Sequence, residues 1–498
     1  MNAPLRRAGV VILVLFGLLF ANLNWVQAYK ADDYRTSGKN RRVVVAQYER
    51  PRGVIEAGGI GLAENKATDD TLKYLRVYPK KEIYAPVLGY RPVSIAATGI
   101  ENSENDFLSG ESDKLFADRV KDMFTGNDTG GGNVVLSLNT AAQETAYKEL
   151  TNNQRGATKG AAVAIDPRTG AIQAMVSMPT YDPNPLVTHD DKAAVAAYNK
   201  LIKDKNNPLL NRATQQTLPP GSAFKTIISA AALTDGLTPD SEIPAGGEYK
   251  ESGAVIHNSE DETCPGSQIS LKEALTESCN TGFAKLGVKL GRDKVIDMAK
   301  AFGFEDDKVT VGNLDGGGLP VAASRTGAIA NPDGGVDKGA LAQSSIGQRD
   351  VRMTPLEGAL MAATVANGGK QMRPYLVQKL LGPDRRTIYS ASPKVAHTPI
   401  SGSVANDLKD MMVSVVQNGT GKKAKIKNFD VGGKTGTAQN AAGADPHGWF
   451  IGFAYNDKGE AVSAVCVMLE NVPGGRASSE AARISGLIMK AVAGRGGD

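Results

Sequence analysis

Leu218-Pro219-Pro220-Gly221-Ser222-Ala223-Phe224-Lys225 is the stretch on which the reading of this 498-residue chain turns. Two prolines and a glycine stop any preceding element, and the apolar run Ser222 to Leu233 then predicts a helix. Ser222 stands at that helix's N-terminus, where the positive end of the dipole favours developing negative charge. Lys225 follows three residues later, one turn on and on the same face, within reach of the hydroxyl. A serine hydroxyl is a weak nucleophile until a neighbouring base takes its proton. Lysine can act as that base when burial and neighbours lower its pKa. An isolated Ser-x-x-Lys is usually no more than a helix start with a solvated lysine, so its surroundings must decide.

Two further motifs follow in order, Ser278-Cys279-Asn280 and Lys434-Thr435-Gly436. The second lies in Val431-Gly432-Gly433-Lys434-Thr435-Gly436-Thr437, which predicts a sheet edge rich in glycine. Glycine permits close approach of another backbone, so an extended peptide could add there as an extra strand. Lys434 would supply positive charge for a substrate carboxylate, and the threonine hydroxyls could donate to it. The four histidines, His189, His257, His397 and His447, sit in no Gly-x-Ser-x-Gly setting, so a Ser-His-Asp mechanism has no support. No His-Glu-x-x-His or Cys-x-x-Cys is present, which argues against a zinc hydrolase. Neither a metal nor a cofactor is expected.

Around these motifs the pattern is that of an α+β layer fold. Ala161 to Ile165 and Ala171 to Val176 predict strands joined by the turn Asp166-Pro167-Arg168-Thr169-Gly170. Trp449 to Ala454, the turn Asn456-Asp457-Lys458-Gly459 and Ala461 to Leu469 predict a second hairpin, and Ser478 to Val492 a closing helix. Val134 to Leu138 predicts a strand and Ala141 to Leu150 a helix. Val43 to Phe124 mixes short β-type runs, Val43 to Ala46 and Ile83 to Pro86, with many turn residues, and Gly130-Gly131-Gly132 reads as a flexible boundary.

Ala8 to Ala28 carries no charge over 21 residues, about the ~20 that a membrane-crossing helix needs. Trp25 and Tyr29 sit at its end, as interfacial rings do. Val26-Gln27-Ala28 loosely resembles a signal cleavage site, but the apolar run is long for a signal peptide, which favours an anchor. Lys30 to Arg42 is polar and reads as a linker. Arg6 and Arg7 before the apolar run are outnumbered by Lys30, Arg35, Lys39, Arg41 and Arg42 after it. Charge alone would therefore favour the large C-terminal part inside, although long domains often translocate regardless. A net charge of +4, with 22% charged and 41% hydrophobic residues and no basic stripe, makes nucleic acid an unexpected partner.

The trio of motifs is a signature shared by β-lactamases and penicillin-binding proteins. The chain resembles class B penicillin-binding proteins, the monofunctional peptidoglycan transpeptidases, and is most similar to the actinobacterial penicillin-binding protein A group. Besides the trio, the resemblance rests on Arg52-Gly53-Val54-Ile55, Ala161 to Pro183, Ser278 to Gly287, Ile346-Gly347-Gln348, Thr354-Pro355-Leu356 and Gly433 to Gln439. It implies a serine transpeptidase/β-lactamase-like fold, an antiparallel sheet flanked by helices with a helical subdomain. The implied division is a cytoplasmic tail (1–7), a transmembrane anchor (8–28), a pedestal or dimerisation-like module (29–132) and the transpeptidase domain (133–498). It also implies a single-pass protein of the cell membrane with its catalytic domain outside, against the charge count. In that compartment Cys264 and Cys279 are the natural disulfide pair, while Cys466 reads as a buried strand residue.

The resemblance further implies roles. Ser222 attacks the penultimate D-Ala carbonyl of a peptidoglycan stem peptide, with Lys225 as base and Ser278 passing the proton to the leaving D-Ala. Asn280 holds the substrate amide, Lys434 sets the local field, and Thr435, Gly436 and Thr437 form the strand that receives the terminal carboxylate. The backbone N–H groups of Ser222 and Thr437 form the oxyanion hole. A neighbouring stem-peptide amine takes the acyl group, β-lactams acylate Ser222, and division or elongation proteins are the implied partners. Cys279 occupies a position where β-lactamases commonly carry an acid, which leans away from them. A D,D-carboxypeptidase, a weak β-lactamase, and a β-lactam sensor or division scaffold remain as alternatives.

Overall fold

The computed structural model describes residues 3–30, 45, 47–116, 124, 130–258, 264, 266–438 and 444–494. Helix α1 (Ala3–Asn24) runs on through a π-helical turn at Trp25–Tyr29. The span Arg6–Tyr29 has a mean hydropathy of 2.2 and buries nothing against the rest of the chain. It is long and apolar enough to cross a bilayer. Beyond Lys30 the polar linker lies outside the described residues, as does the β-type run Val43 to Ala46 except for Val45, which is helical.

Eleven strands build two large sheets. Strands β1 (Ile55–Ala57), β2 (Ile60–Ala67) and β3 (Tyr74–Val77) open the N-terminal part, and β4 (Asn133–Leu136) ends it. The hairpin β5 (Lys159–Ile165) and β6 (Ile172–Met178) follows. Later come β7 (Val377–Leu381) and β8 (Thr387–Ser390), then β9 (Asp430–Ala438), β10 (His447–Tyr455) and β11 (Ala461–Glu470).

The first sheet has the order β8-β7-β4-β1-β2-β3. Its β1–β2 hairpin turns on Gly58 and Gly59, both at positive φ (55° and 78°), the backbone that a two-residue type I′ turn needs. Strand β4 pairs parallel with β1 and antiparallel with β7, so this sheet straddles residue 132 and mixes early and late chain. The three glycines at 130–132 are packed in rather than loose: a Cβ on Gly131 would sit 1.7 Å from the Leu108 carbonyl oxygen. The run Ile83 to Pro86, expected to be β-type, is helical instead. A 3₁₀ turn at Lys81–Ile83 leads into Ala85–Leu88, with Pro86 in the first turn. There its fixed φ fits the helix and its missing N–H is one the helix would leave unpaired anyway.

The second sheet, β9-β10-β11-β5-β6, is antiparallel throughout. Both faces of its central strands are covered, which is why β10 and β11 read as almost unbroken apolar runs. Helices α2 (Thr140–Thr151) and α7 (Ala477–Ala493) pack on one face through Ala146, Leu150, Ile484 and Ile488. The other face lies against a helical subdomain. Its members are α3 (Lys225–Thr234), α4 (Asn280–Leu290), α5 (Pro355–Ala366) and α6 (Gly402–Gln417). The layered α+β architecture expected from the hairpins and the closing helix is therefore the one observed. Cys466 is fully buried in β11, as expected.

Candidate active site

The segment that carries Ser222 is not quite the helix its apolar run suggested. Gly221–Phe224 forms a 3₁₀ turn, and the α-helix begins only at Lys225. Gly221 opens this turn with a φ of 54°, in the left-handed region that glycine tolerates. Two neighbours hold it. Its N–H donates to the Gly347 carbonyl at 3.0 Å, and a Cβ at Gly221 would fall 2.2 Å from the Thr437 carbonyl oxygen. Strand β9 is as close from its own side, since a Cβ at Gly436 would fall 2.3 Å from the Pro220 carbonyl oxygen and 3.2 Å from the Ala223 nitrogen. Ser222 is thus presented, 8% exposed, where the 346–348 loop and the β9 edge converge.

Lys225 is completely buried. Its ammonium donates to the Ser278 carbonyl, to Ser278 Oγ at 3.2 Å and to Asn280 Oδ1 at 2.7 Å. Lys434, also completely buried, donates to the same Ser278 Oγ at 2.9 Å and to the Thr435 carbonyl at 3.0 Å. One hydroxyl therefore accepts from two lysines. A serine hydroxyl has two lone pairs and one proton, so with both lone pairs engaged the proton is what Ser278 can offer a third group. Ser278 itself has a φ of 64°, a left-handed backbone that is uncommon outside glycine and concentrated at functional sites.

Asn280 is committed within the site, with Oδ1 accepting from Lys225 and Nδ2 donating to the His257 carbonyl at 3.1 Å. Cys279, between the two polar residues of the motif, is bonded to Cys264, with Cα atoms 5.6 Å apart. The disulfide ties the chain beyond His257 to the loop carrying Ser278. On β9, an edge strand as expected, Thr435 is buried and its hydroxyl lies 2.6 Å from Thr420 Oγ1. Thr437 is exposed, its hydroxyl donating to Ser478 Oγ at 3.3 Å and its carbonyl accepting from Gln348 Nε2 at 3.4 Å. Gln439 lies outside the described residues.

Thr420 and Ser478 were not singled out by the sequence. A weak signal existed for Thr420 in its flanking glycines: a Cβ on Gly419 would sit 2.1 Å from the Thr276 carbonyl oxygen. His257 meets this cluster through its backbone carbonyl. His189 pairs with Asp70 at 2.6 Å, elsewhere in the molecule. Burial pushes the buried His447 ring down to about 4, and its Nδ1 accepts from the Asn471 N–H at 3.1 Å.

A serine on a helix-entry turn, a lysine–hydroxyl–lysine bridge and a Lys-Thr-Gly edge strand define a serine acyl-transfer enzyme of the β-lactam-reactive class. Residues 160–491 match the model of the penicillin binding protein transpeptidase domain, and residues 52–134 that of the penicillin binding protein A dimerisation domain. The chain belongs to the penicillin-binding protein transpeptidase family. It is 43% identical over 460 residues to the peptidoglycan D,D-transpeptidase PbpA of Mycolicibacterium smegmatis, covering 91% of each chain. With PbpA of Mycobacterium tuberculosis the identity is 39%, over 95% of this chain and 94% of the relative. Its fold matches the ceftriaxone acyl-enzyme complex of penicillin-binding protein A from M. tuberculosis with a TM-score of 0.84 and 37% identity. That match covers 90% of this chain and 99% of the other. The penicillin G acyl-enzyme of the same protein matches with a TM-score of 0.81 and 38% identity.

Proposed function

We propose that the chain is a peptidoglycan D,D-transpeptidase that works through an acyl-enzyme on Ser222. The observation that carries the reading is the pair of buried lysines sharing Ser278 Oγ at 3.2 and 2.9 Å beside the nucleophile turn. Ser222 Oγ attacks the carbonyl of the penultimate D-Ala of a stem peptide and Lys225 takes the hydroxyl proton. Ser278 relays a proton to the departing D-Ala nitrogen, so the C–N bond breaks as the ester forms. The terminal carboxylate lies along β9, met by Lys434, Thr435 and Thr437, while Asn280 orients the substrate amide and keeps Lys225 in place. The carbonyl oxygen is received by the backbone N–H groups of Ser222 and Thr437. The contact of Gly221 with Thr437 supports that assignment. Each such donor typically contributes about 10²–10³ in rate. The amine of a neighbouring stem peptide then takes the acyl group, making the cross-link.

The large C-terminal part lies on the outer side of the membrane in this reading. The Cys264–Cys279 disulfide supports that topology, since such bonds persist in oxidising compartments. Residues 29–132 act as a pedestal for partner contacts in division or elongation, with 133–498 as the catalytic domain.

Fluorescent penicillin should label the full chain covalently, and Ser222→Ala should abolish the label; a labelled mutant refutes the nucleophile. Lys225→Ala should lose acylation with the fold intact. Acyl transfer from a D-Ala-D-Ala stem peptide should respond to added acceptor amine. Hydrolysis indifferent to acceptor would identify a D,D-carboxypeptidase instead.

A further inference from the structure

Gln348 stands on the loop that packs against the Ser222 turn, and its side chain crosses from there to strand β9. Its backbone is spent inside the loop: the N–H donates to the Gln343 carbonyl at 3.1 Å, and the carbonyl accepts from the Val351 N–H at 3.3 Å. The side chain is what reaches out, with Nε2 donating to the Thr437 carbonyl at 3.4 Å. Strand β9 is the edge of its sheet, with β10 on one side and the cleft on the other. A carbonyl that meets Gln348 faces the cleft, and alternate residues of a strand face the same way. The Thr435 carbonyl accordingly meets the Lys434 ammonium at 3.0 Å. Thr437 thus turns its backbone N–H and C=O toward the space where a substrate strand would add.

In the acyl-enzyme reading, on which this inference rests, Thr437 N–H receives the carbonyl oxygen of the penultimate D-Ala. The donor's terminal carboxylate heads back along β9 toward Thr435, so the donor runs antiparallel to the strand. Opposed residues of a hydrogen-bonded antiparallel pair exchange two bonds, N–H to C=O in each direction. The second bond of this pair runs from the N–H of the same D-Ala to the Thr437 carbonyl, which is the acceptor that Gln348 holds. Gly221 crowds that oxygen, since a Cβ there would fall 2.2 Å from it, so the two donors compete for one approach. The glutamine is the weaker competitor. Its bond is longer than the usual ~2.7–3.2 Å, and the half-buried side chain can be released into water.

We propose that Gln348 is a placeholder for the backbone amide of the donor peptide and thereby a specificity-determining residue. Its side-chain amide satisfies the Thr437 carbonyl while the cleft is empty, and gives way to a ligand that brings an N–H of its own. Such a ligand replaces one hydrogen bond by another and bears the cost of releasing the glutamine. A ligand without that N–H gains nothing at this oxygen and leaves Gln348 in place. Removing the glutamine therefore helps the first kind of ligand and not the second.

Stopped-flow acylation of the full chain in detergent by penicillin G and by imipenem separates the two kinds. Penicillin G carries an acylamino N–H beside its lactam carbonyl, where imipenem carries a hydroxyethyl group. Both form acyl-enzymes with penicillin-binding protein A of M. tuberculosis. Gln348→Ala should speed acylation by penicillin G about three- to tenfold, the worth of one hydrogen bond, and leave imipenem at its wild-type rate. A merely structural glutamine would slow both ligands when removed, and a loosened cleft would speed both alike. If Gln348→Ala does not fold, Gln348→Met, of similar length and without a donor, decides on the same terms. Penicillin G at or below its wild-type rate, or imipenem accelerated as much, overturns the proposal. A wild-type chain that neither ligand acylates would refute the acyl-enzyme reading itself, and the placeholder with it.

Discussion

Thr420 reaches the site from the loop after α6, and its hydroxyl lies 2.6 Å from that of Thr435. Thr435 also borders the Lys434 ammonium at 3.5 Å, so the Thr420 contact limits how the hydroxyl proposed to meet the carboxylate can turn. One such hydrogen bond is worth about 1 kcal/mol net, which predicts a five- to tenfold slower acylation of Thr420→Val by a carboxylate-bearing β-lactam. Thr420→Ser, which restores a hydroxyl, should recover most of the rate. Stopped-flow labelling of both variants checks this, and equal rates in valine and serine would remove Thr420 from a positioning role. The gathering of Lys225, Ser278, Asn280 and Lys434 into one hydrogen-bonded cluster was legible from the sequence because each motif places its polar groups within three residues of one another. Thr420 and Ser478 were not legible, because what gives them a part is a partner across the fold.

Gly347 shows how neighbouring elements hold the turn that carries Ser222, the proposed nucleophile. Its φ is 70°, and a Cβ there would lie 2.0 Å from the carbonyl oxygen of Gly221, the residue before Ser222. A side chain in this backbone region costs an L-residue roughly 1–2 kcal/mol, and relieving the overlap must move the Ser222 turn and the 346–348 loop apart. Gly347→Ala should therefore lower the melting temperature by about 1–3 °C, on the order expected for 1–2 kcal/mol in a unit of more than 300 residues. It should also cut penicillin labelling by more than the loss of folded protein explains. A variant that labels at the wild-type rate would show that the turn does not depend on this contact. At this scale the sequence was informative where periodicity was strong and local. The β5–β6 and β10–β11 hairpins and the closing helix α7 fell close to their expected limits. Ile83 to Pro86 misled because a proline suits the first turn of a helix as well as an extended run. Ser222 to Leu233 misled by one turn because a 3₁₀ turn and an α-helix share the same local apolar pattern.

Across the whole molecule the N-terminal part and the catalytic part are not strung in series. Strands β7 and β8, from residues 377–390, complete a sheet begun by β1 at Ile55. No reading of local pattern finds a pairing across more than two hundred residues. Glu104 titrates inside this shared architecture. It is 7% exposed, and burial raises its pKa from 4.5 to about 7, against smaller opposing effects of Lys114 and of Asn313 from the catalytic part. Folding thus favours the protonated carboxyl. The stability this provides is full below pH 4.5, declines as pH rises toward 7, and is absent above that, because the unfolded chain then holds fewer protons than the folded one. The loss should be on the order of 2 kcal/mol, given roughly 1.4 kcal/mol per pKa unit and partial relaxation around a buried charge. Glu104→Gln keeps the shape and removes the titration, so it should leave stability near pH 4.5 little changed and raise it at pH 8. Chemical denaturation of the two proteins across this range isolates the carboxyl, since every other titrating group is common to both. A constant difference between them from pH 4.5 to 8 would show that Glu104 is ionised in the folded protein and that its burial between the two parts is not maintained in solution.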